Sequence, residues 1–128
     1  MIQSQGKRKR AIARASINKG KGTVRINGKL LDQLPMDMNK LKIQEPLLLA
    51  GAVTEKLDFN IRVHGGGVNG QADAVRLAIA RGLVQHDESL KEKFTQYDRL
   101  LLVADVRRKE VCKPNDSKAR AKRQKSYR

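Results

Sequence analysis

From Ala11 to Ile17, small or apolar residues occupy every second position with Arg14 and Ser16 between them, the period of a strand with one buried face. After the glycine-rich NKGKG, Val24 and Ile26 again alternate with Thr23, Arg25 and Asn27, so the two segments are expected to pair as a hairpin whose outer face is cationic. Residues 30–53 are apolar with short interruptions, and Pro46 suits the first turn of a helix through LLLAGAV. Leu57, Phe59, Ile61 and Val63 then alternate with Asp58, Asn60, Arg62 and His64, the clearest strand in the chain. Beyond the loop GGGVNGQ, the stripe Ala72, Val75, Ile79 and Leu83, widened by Leu77 and Ala78, predicts a long helix from about Gln71 to Gln85 with Arg76 and Arg81 outside the stripe. Ser89 and Glu92 read as the capping box of another helix, with Leu90, Phe94 and Tyr97 on its apolar side. LLLVA (100–104) reads as a short buried strand. This order of elements predicts a compact α+β domain over residues 1–104.

After Asp105 the apolar pattern stops. Residues 107–128 hold almost nothing whose burial could offset the entropy of ordering, which predicts an extended basic arm over 105–128, disordered alone and shaped by its partner. Charge sharpens this division. The 28 Lys and Arg against 13 Asp and Glu give a net charge of +15. Residues 1–29 carry nine cations and no acid, residues 107–128 carry ten and two, and the stretch between carries nine and eleven. All the excess therefore sits at the two ends, an arrangement suited to a polyanion.

A membrane surface would also need an apolar or lipid anchor, which the tail lacks. No stretch approaches the roughly 20 apolar residues of a membrane span, and no apolar run follows the basic start as in a secretory signal. The single cysteine, Cys112, rules out an internal disulfide framework and fits a reducing compartment, so a soluble cytoplasmic protein is expected. Nucleic acid is the favoured partner because counterion release makes Lys and Arg contacts to phosphate favourable. The only aromatic residues are Phe59, Phe94, Tyr97 and Tyr127, three of them in the apolar-patterned middle, so recognition should run through phosphates and shape rather than base stacking. A chromatin-type DNA binder is the alternative within this class.

Gly65, Gly67 and Gly70 fit G-x-G-x-x-G between a strand and a helix, as in a dinucleotide site. The acids about twenty residues on, Asp87 and Glu88, open a helix instead of ending a second strand, and no nucleotide cofactor is expected. The same loop could hold an RNA phosphate, or serve only as a turn, and four glycines within six residues imply that something packs very close. His64, His86 and Cys112 lack metal-site spacing, and no serine or pair of acids stands in a catalytic context, so neither a metal nor an enzyme activity is expected.

Several segments, in order along nearly the whole chain, resemble one family. GKRKRAIARA and GKGTVRINGK come first, QEPLLLAG and VHGGGVNGQADAVRLAIARGLV follow, then YDRLLLVADVRR and finally KARAKRQKSYR. The chain resembles small-subunit ribosomal protein nine, in particular its archaeal and eukaryotic branch, for which the ending QKSYR is specific. Val106 stands where the family pattern has proline. The resemblance implies the fold of the second domain of small-subunit ribosomal protein five, and a place in the subunit head on the 3′ major domain of the rRNA, among neighbouring head proteins. It implies rRNA contacts at Lys7, Arg8, Lys9 and Arg10, and at Gly65, Gly66, Gly67, Asn69, Gly70 and Gln71. Further rRNA contacts are implied along the arm at Arg107, Arg108, Lys113, Lys118, Arg120, Lys122 and Arg123. It places Lys125, Ser126, Tyr127 and Arg128 against the P-site tRNA.

Overall fold

The computed structural model describes residues 1–35 and 37–127. Among them are five β-strands and three α-helices: β1 (Ile2–Arg8), β2 (Ala11–Lys19), β3 (Val24–Ile26), β4 (Lys29–Leu30), α1 (Met38–Ala50), β5 (Leu57–His64), α2 (Val68–His86) and α3 (Leu90–Tyr97). The α+β class expected from the sequence is the one observed. The strands form a single mixed sheet in the order β1-β2-β5-β3-β4, antiparallel except for β3 beside β5.

The expected hairpin between residues 11–17 and 23–27 does not form. β5 lies between them and pairs with β2 over eight positions, from Ile12 opposite His64 to Lys19 opposite Leu57. β3 is only three residues long and could not satisfy the nine-residue β2 as fully. The loop that carries the chain across is pinned by Asp58, whose carboxylate accepts from the backbone N–H groups of Lys21 and Thr23, both at 2.9 Å. Those two bonds, Thr23 first, hold its carboxyl below the usual carboxylate range. The Asn27 side chain extends the β5 ladder, donating to the Val63 carbonyl and accepting from its N–H.

The helices cover one face of the sheet. Phe59, Ile61, Ile17, Ile79, Leu83 and Phe94 are completely buried between the layers, each contributing about 1.5–3 kcal/mol of apolar transfer. Against β1 and β2 the packing surface is made of small residues. Ala11, Ala13 and Ala15 on β2 face the alanines of α2, and Gly6 of β1 sits under Ala74 and Ala78. Alternate residues of the strands leave the opposite face of the sheet in solvent.

Three local expectations are corrected. Pro46 lies inside α1 and not in its first turn, because Asp37 caps the helix earlier by accepting from the N–H groups of Asn39 and Lys40. The lost backbone bond is offset by complete burial of the proline ring. Residues 100–104 form no strand: Asp98 captures the Leu100 N–H at 2.9 Å and starts a 3-10 turn over Arg99–Leu101, which needs only Leu101 as a buried anchor. The Ser89–Glu92 capping box is also absent, since the Ser89 hydroxyl donates to Asp87 at 2.7 Å instead.

Candidate nucleic-acid interface

β1 and β2 are joined by Lys9 and Arg10 alone, with Arg8 opposite Ala11. Lys9 takes a left-handed conformation (φ 53°), which costs a non-glycine residue about 1 kcal/mol and throws both exposed side chains out from the hairpin tip. The glycine loop backs this tip. A Cβ on Gly65 would lie 2.6 Å from the Arg10 carbonyl oxygen, and one on Gly66 would lie 3.0 Å from the Ala11 nitrogen. Both glycines also have positive φ. The close partner that four glycines implied is thus the chain's own hairpin. Gln71 braces the loop by donating to the Gly65 carbonyl at 3.1 Å. Gly67 has open space around it and begins α2 with no side-chain cap, so the first N–H groups of the helix have no side-chain partner, and Gly67, Asn69 and Gly70 line the same cleft as the tip.

The chain after the last buried turn returns to the same place. Lys9, Arg10, Gly67, Asn69, Arg108 and Lys109 line one cleft of about 990 Å³. Among the described residues Lys7, Lys9, Arg10, Arg108 and Lys109 have no acidic partner. Lys109 was not singled out in the sequence; its only signal was its place in the RRK run.

Arg8 and Arg107 are arranged differently. Arg8 is partly buried, 3.0 Å from Asp105 and 3.6 Å from Asp73. Arg107 grips Asp105 through side chain and backbone, at 2.6 to 3.1 Å. Arg81 adds a second tie by donating to the Leu102 carbonyl and the Gln5 carbonyl, both at 3.0 Å. Together these bonds fix the root of the arm to β1. The Arg107 side chain, then its N–H, draws the Asp105 carboxyl down to about 2, with Arg8 adding to the effect. A depressed carboxyl holds its contribution above the ordinary carboxylate range and loses it as pH falls. The Arg107 amide resonance should therefore titrate with a midpoint near pH 2. In Asp105→Asn that titration should vanish, and exchange of the Arg107 N–H at neutral pH should rise roughly tenfold.

Beyond Val103 the described residues contain no helix or strand apart from one isolated bridge, Asp116 with Lys122. Lys113 and Arg120 both reach Glu110, at 3.2 and 2.9 Å, and Lys122 is 3.6 Å from Asp116. The Glu110 pairs are exposed, and such pairs are worth about 0–1 kcal/mol, whereas Asp116 is largely covered. Lys118, Arg123, Lys125, Ser126 and Tyr127 are exposed; Arg128 lies outside the described residues. The structure thus brings the hairpin tip, the glycine loop and the arm root together; Lys113 and Arg120 reach that cleft only through Glu110 on its rim, and no described ion pair ties Lys118, Lys122, Arg123 or Lys125 to it.

No group of acids, histidines and cysteine among the described residues could hold a metal ion, and no described helix is long and apolar enough to cross a membrane. A family model described as ribosomal protein S9/S16 matches residues 6–128. The chain belongs to this family. It is 50% identical over its whole length to small ribosomal subunit protein uS9 of Pyrobaculum aerophilum, covering 92% of that protein. The uS9 proteins of Thermoplasma volcanium and Methanothrix thermoacetophila are 51% and 47% identical, over 99% and 100% of this chain and 98% of each relative. Family membership makes the chain a structural ribosomal component and not an enzyme, as its residues had indicated.

Proposed function

We propose that this chain is a constituent of the small ribosomal subunit that binds the rRNA of the subunit head and reaches P-site tRNA with the end of a basic arm. One observation carries the reading: in a member of a ribosomal family, cations without acidic partners gather at a single cleft from which the basic arm leaves. Lys7, Lys9, Arg10 and Arg108 supply charge there, and the open start of α2 at Gly67, Asn69 and Gly70 offers N–H groups to a phosphate. Gly65, Gly66 and Gln71 shape that approach, while Arg8 and Arg107 hold the arm root through Asp105.

Along the arm, Lys113, Lys118, Arg120, Lys122 and Arg123 follow the rRNA. For Lys113 and Arg120, exchanging the weak exposed pairs with Glu110 for phosphate costs little. Neighbouring proteins of the head complete the surroundings. Lys125, Ser126, Tyr127 and Arg128 meet the tRNA. Deleting residues 125–128 is expected to leave the melting temperature unchanged while weakening P-site tRNA binding to reconstituted subunits roughly tenfold. Equal retention of tRNA by truncated and intact subunits would remove the tRNA role.

A further inference from the structure

We propose that the bare face of the sheet is a second RNA-binding surface, on which Arg14 and Arg62 hold the sugar–phosphate backbone of double-helical RNA; this rests on the RNA-binding reading above. The two arginines stand directly opposite each other on β2 and β5. Like charges in that position destabilise a sheet. Neither has an acidic partner among the described residues, and both are exposed.

The repulsion extends into a stripe. Lys7 lies diagonally beside Arg14 across β1 and β2, and Arg25 lies diagonally beside Arg62 across β3 and β5. The four cations cross four adjacent strands, roughly 14 Å at the usual strand spacing. The acid on this face is Asp58, and its carboxylate is turned to the N–H groups of Lys21 and Thr23. On the helix side of the sheet the pattern is opposite: Arg8 and Arg76 each sit between two acids, and Lys42 meets Asp73. Lys40 and Arg81 on that side donate to backbone carbonyls, so the cations that the fold covers have partners within it, while those of the open face are left for an outside anion.

The rest of the face selects the kind of anion. Gln3, Gln5, Ser16 and Asn60 surround the arginine pair in a shallow groove and offer amide and hydroxyl groups suited to phosphate and ribose oxygens. No Phe, Tyr or Trp lies on this face of β1, β2 or β5, so a run of unpaired bases has no row of large aromatic rings to stack on. A protein partner would want apolar or aromatic anchors at the centre of the contact, where this face has two guanidiniums. The backbone of a duplex, recognised by charge and shape, fits best.

The test compares Arg14→Glu/Arg62→Glu, and the milder Arg14→Gln/Arg62→Gln, with the intact chain on a transcript of the 3′ major domain of small-subunit rRNA. Removing the like-charge pair should leave the melting temperature unchanged or raise it in the glutamine variant, which guards against simple misfolding. RNA affinity should fall at least tenfold for the glutamate variant. In hydroxyl-radical footprinting one protected helical segment should disappear while the protection given by the cleft remains. Unchanged affinity and footprint in both variants would overturn the proposal, and if cleft variants still lost binding the broader reading would stand. Full RNA binding together with loss of a neighbouring head protein from reconstituted subunits would overturn it in favour of an acidic protein partner.

Discussion

Reversing three charges together, Lys9→Glu, Arg10→Glu and Arg108→Glu, is expected to weaken binding to the 3′ major domain transcript on the order of 100-fold and to lower the salt slope by about 3. These side chains line the same cleft, are exposed, and have no acidic partner among the described residues. Lys9 and Arg10 form a hairpin tip and Arg108 lies beyond the last helical turn, so the substitutions remove no ladder bond and no core contact. The melting temperature should accordingly stay within a few degrees. A single reversal should lower the slope by about 1, because each phosphate contact releases its own counterion. Unchanged affinity of the triple variant on a folded protein would mean that the cleft is not an RNA interface.

The second large effect concerns the fold beneath that cleft. Gly6→Ala is expected to destabilise the protein by about 3 kcal/mol or more, a sizeable part of the roughly 5–15 kcal/mol that holds a domain together. A Cβ at Gly6 would lie 2.0 Å from the Ala74 carbonyl oxygen and 2.8 Å from the Ala78 nitrogen. Both obstacles belong to helix backbone and cannot rotate away, so β1 and α2 would have to part. Gly70→Ala serves as the contrast: its Cβ would find ordinary contacts at 3.7 Å, within the first turn of α2. There the gain in helix propensity should leave stability unchanged or raise it by up to about 1 kcal/mol. Chemical denaturation of the two variants separates these outcomes by sign.

Elements whose pattern is local were legible in the sequence. β5 and α2 carry their own periods and fall within a few residues of where alternation and the Ala72–Leu83 stripe put them. β1 carries no apolar alternation of its own and shows only a basic opening. Its inward positions are Ile2, Ser4, Gly6 and Arg8, and only the first is a large apolar residue. Ser4 is satisfied by the Ala78 carbonyl at 2.7 Å, Gly6 makes room for the helix, and Arg8 is neutralised by acids. A pattern rule cannot see a face built in that way.

The same limit applies to the candidate sites. The KRKR run, the glycine loop and the RRK run were each visible, but that they line one cleft depends on tertiary packing. Alternation put Arg14 and Arg25 on an outer face. Setting Arg62 opposite Arg14, 48 positions away in the chain, required the pairing of β2 with β5. The expected hairpin paired β2 with the wrong neighbour and so hid that arrangement.

Phosphate neutralisation by the intact chain is tested most directly by the salt dependence of its binding to the 3′ major domain transcript, measured beside a duplex DNA of similar length. With six to ten contacts shared by cleft, sheet face and arm, the logarithm of affinity should fall linearly with the logarithm of salt, with a slope of about −5 to −9. The RNA should be preferred at every salt concentration. A slope near zero, or equal affinity for the DNA, would contradict a protein built to neutralise the phosphates of folded rRNA.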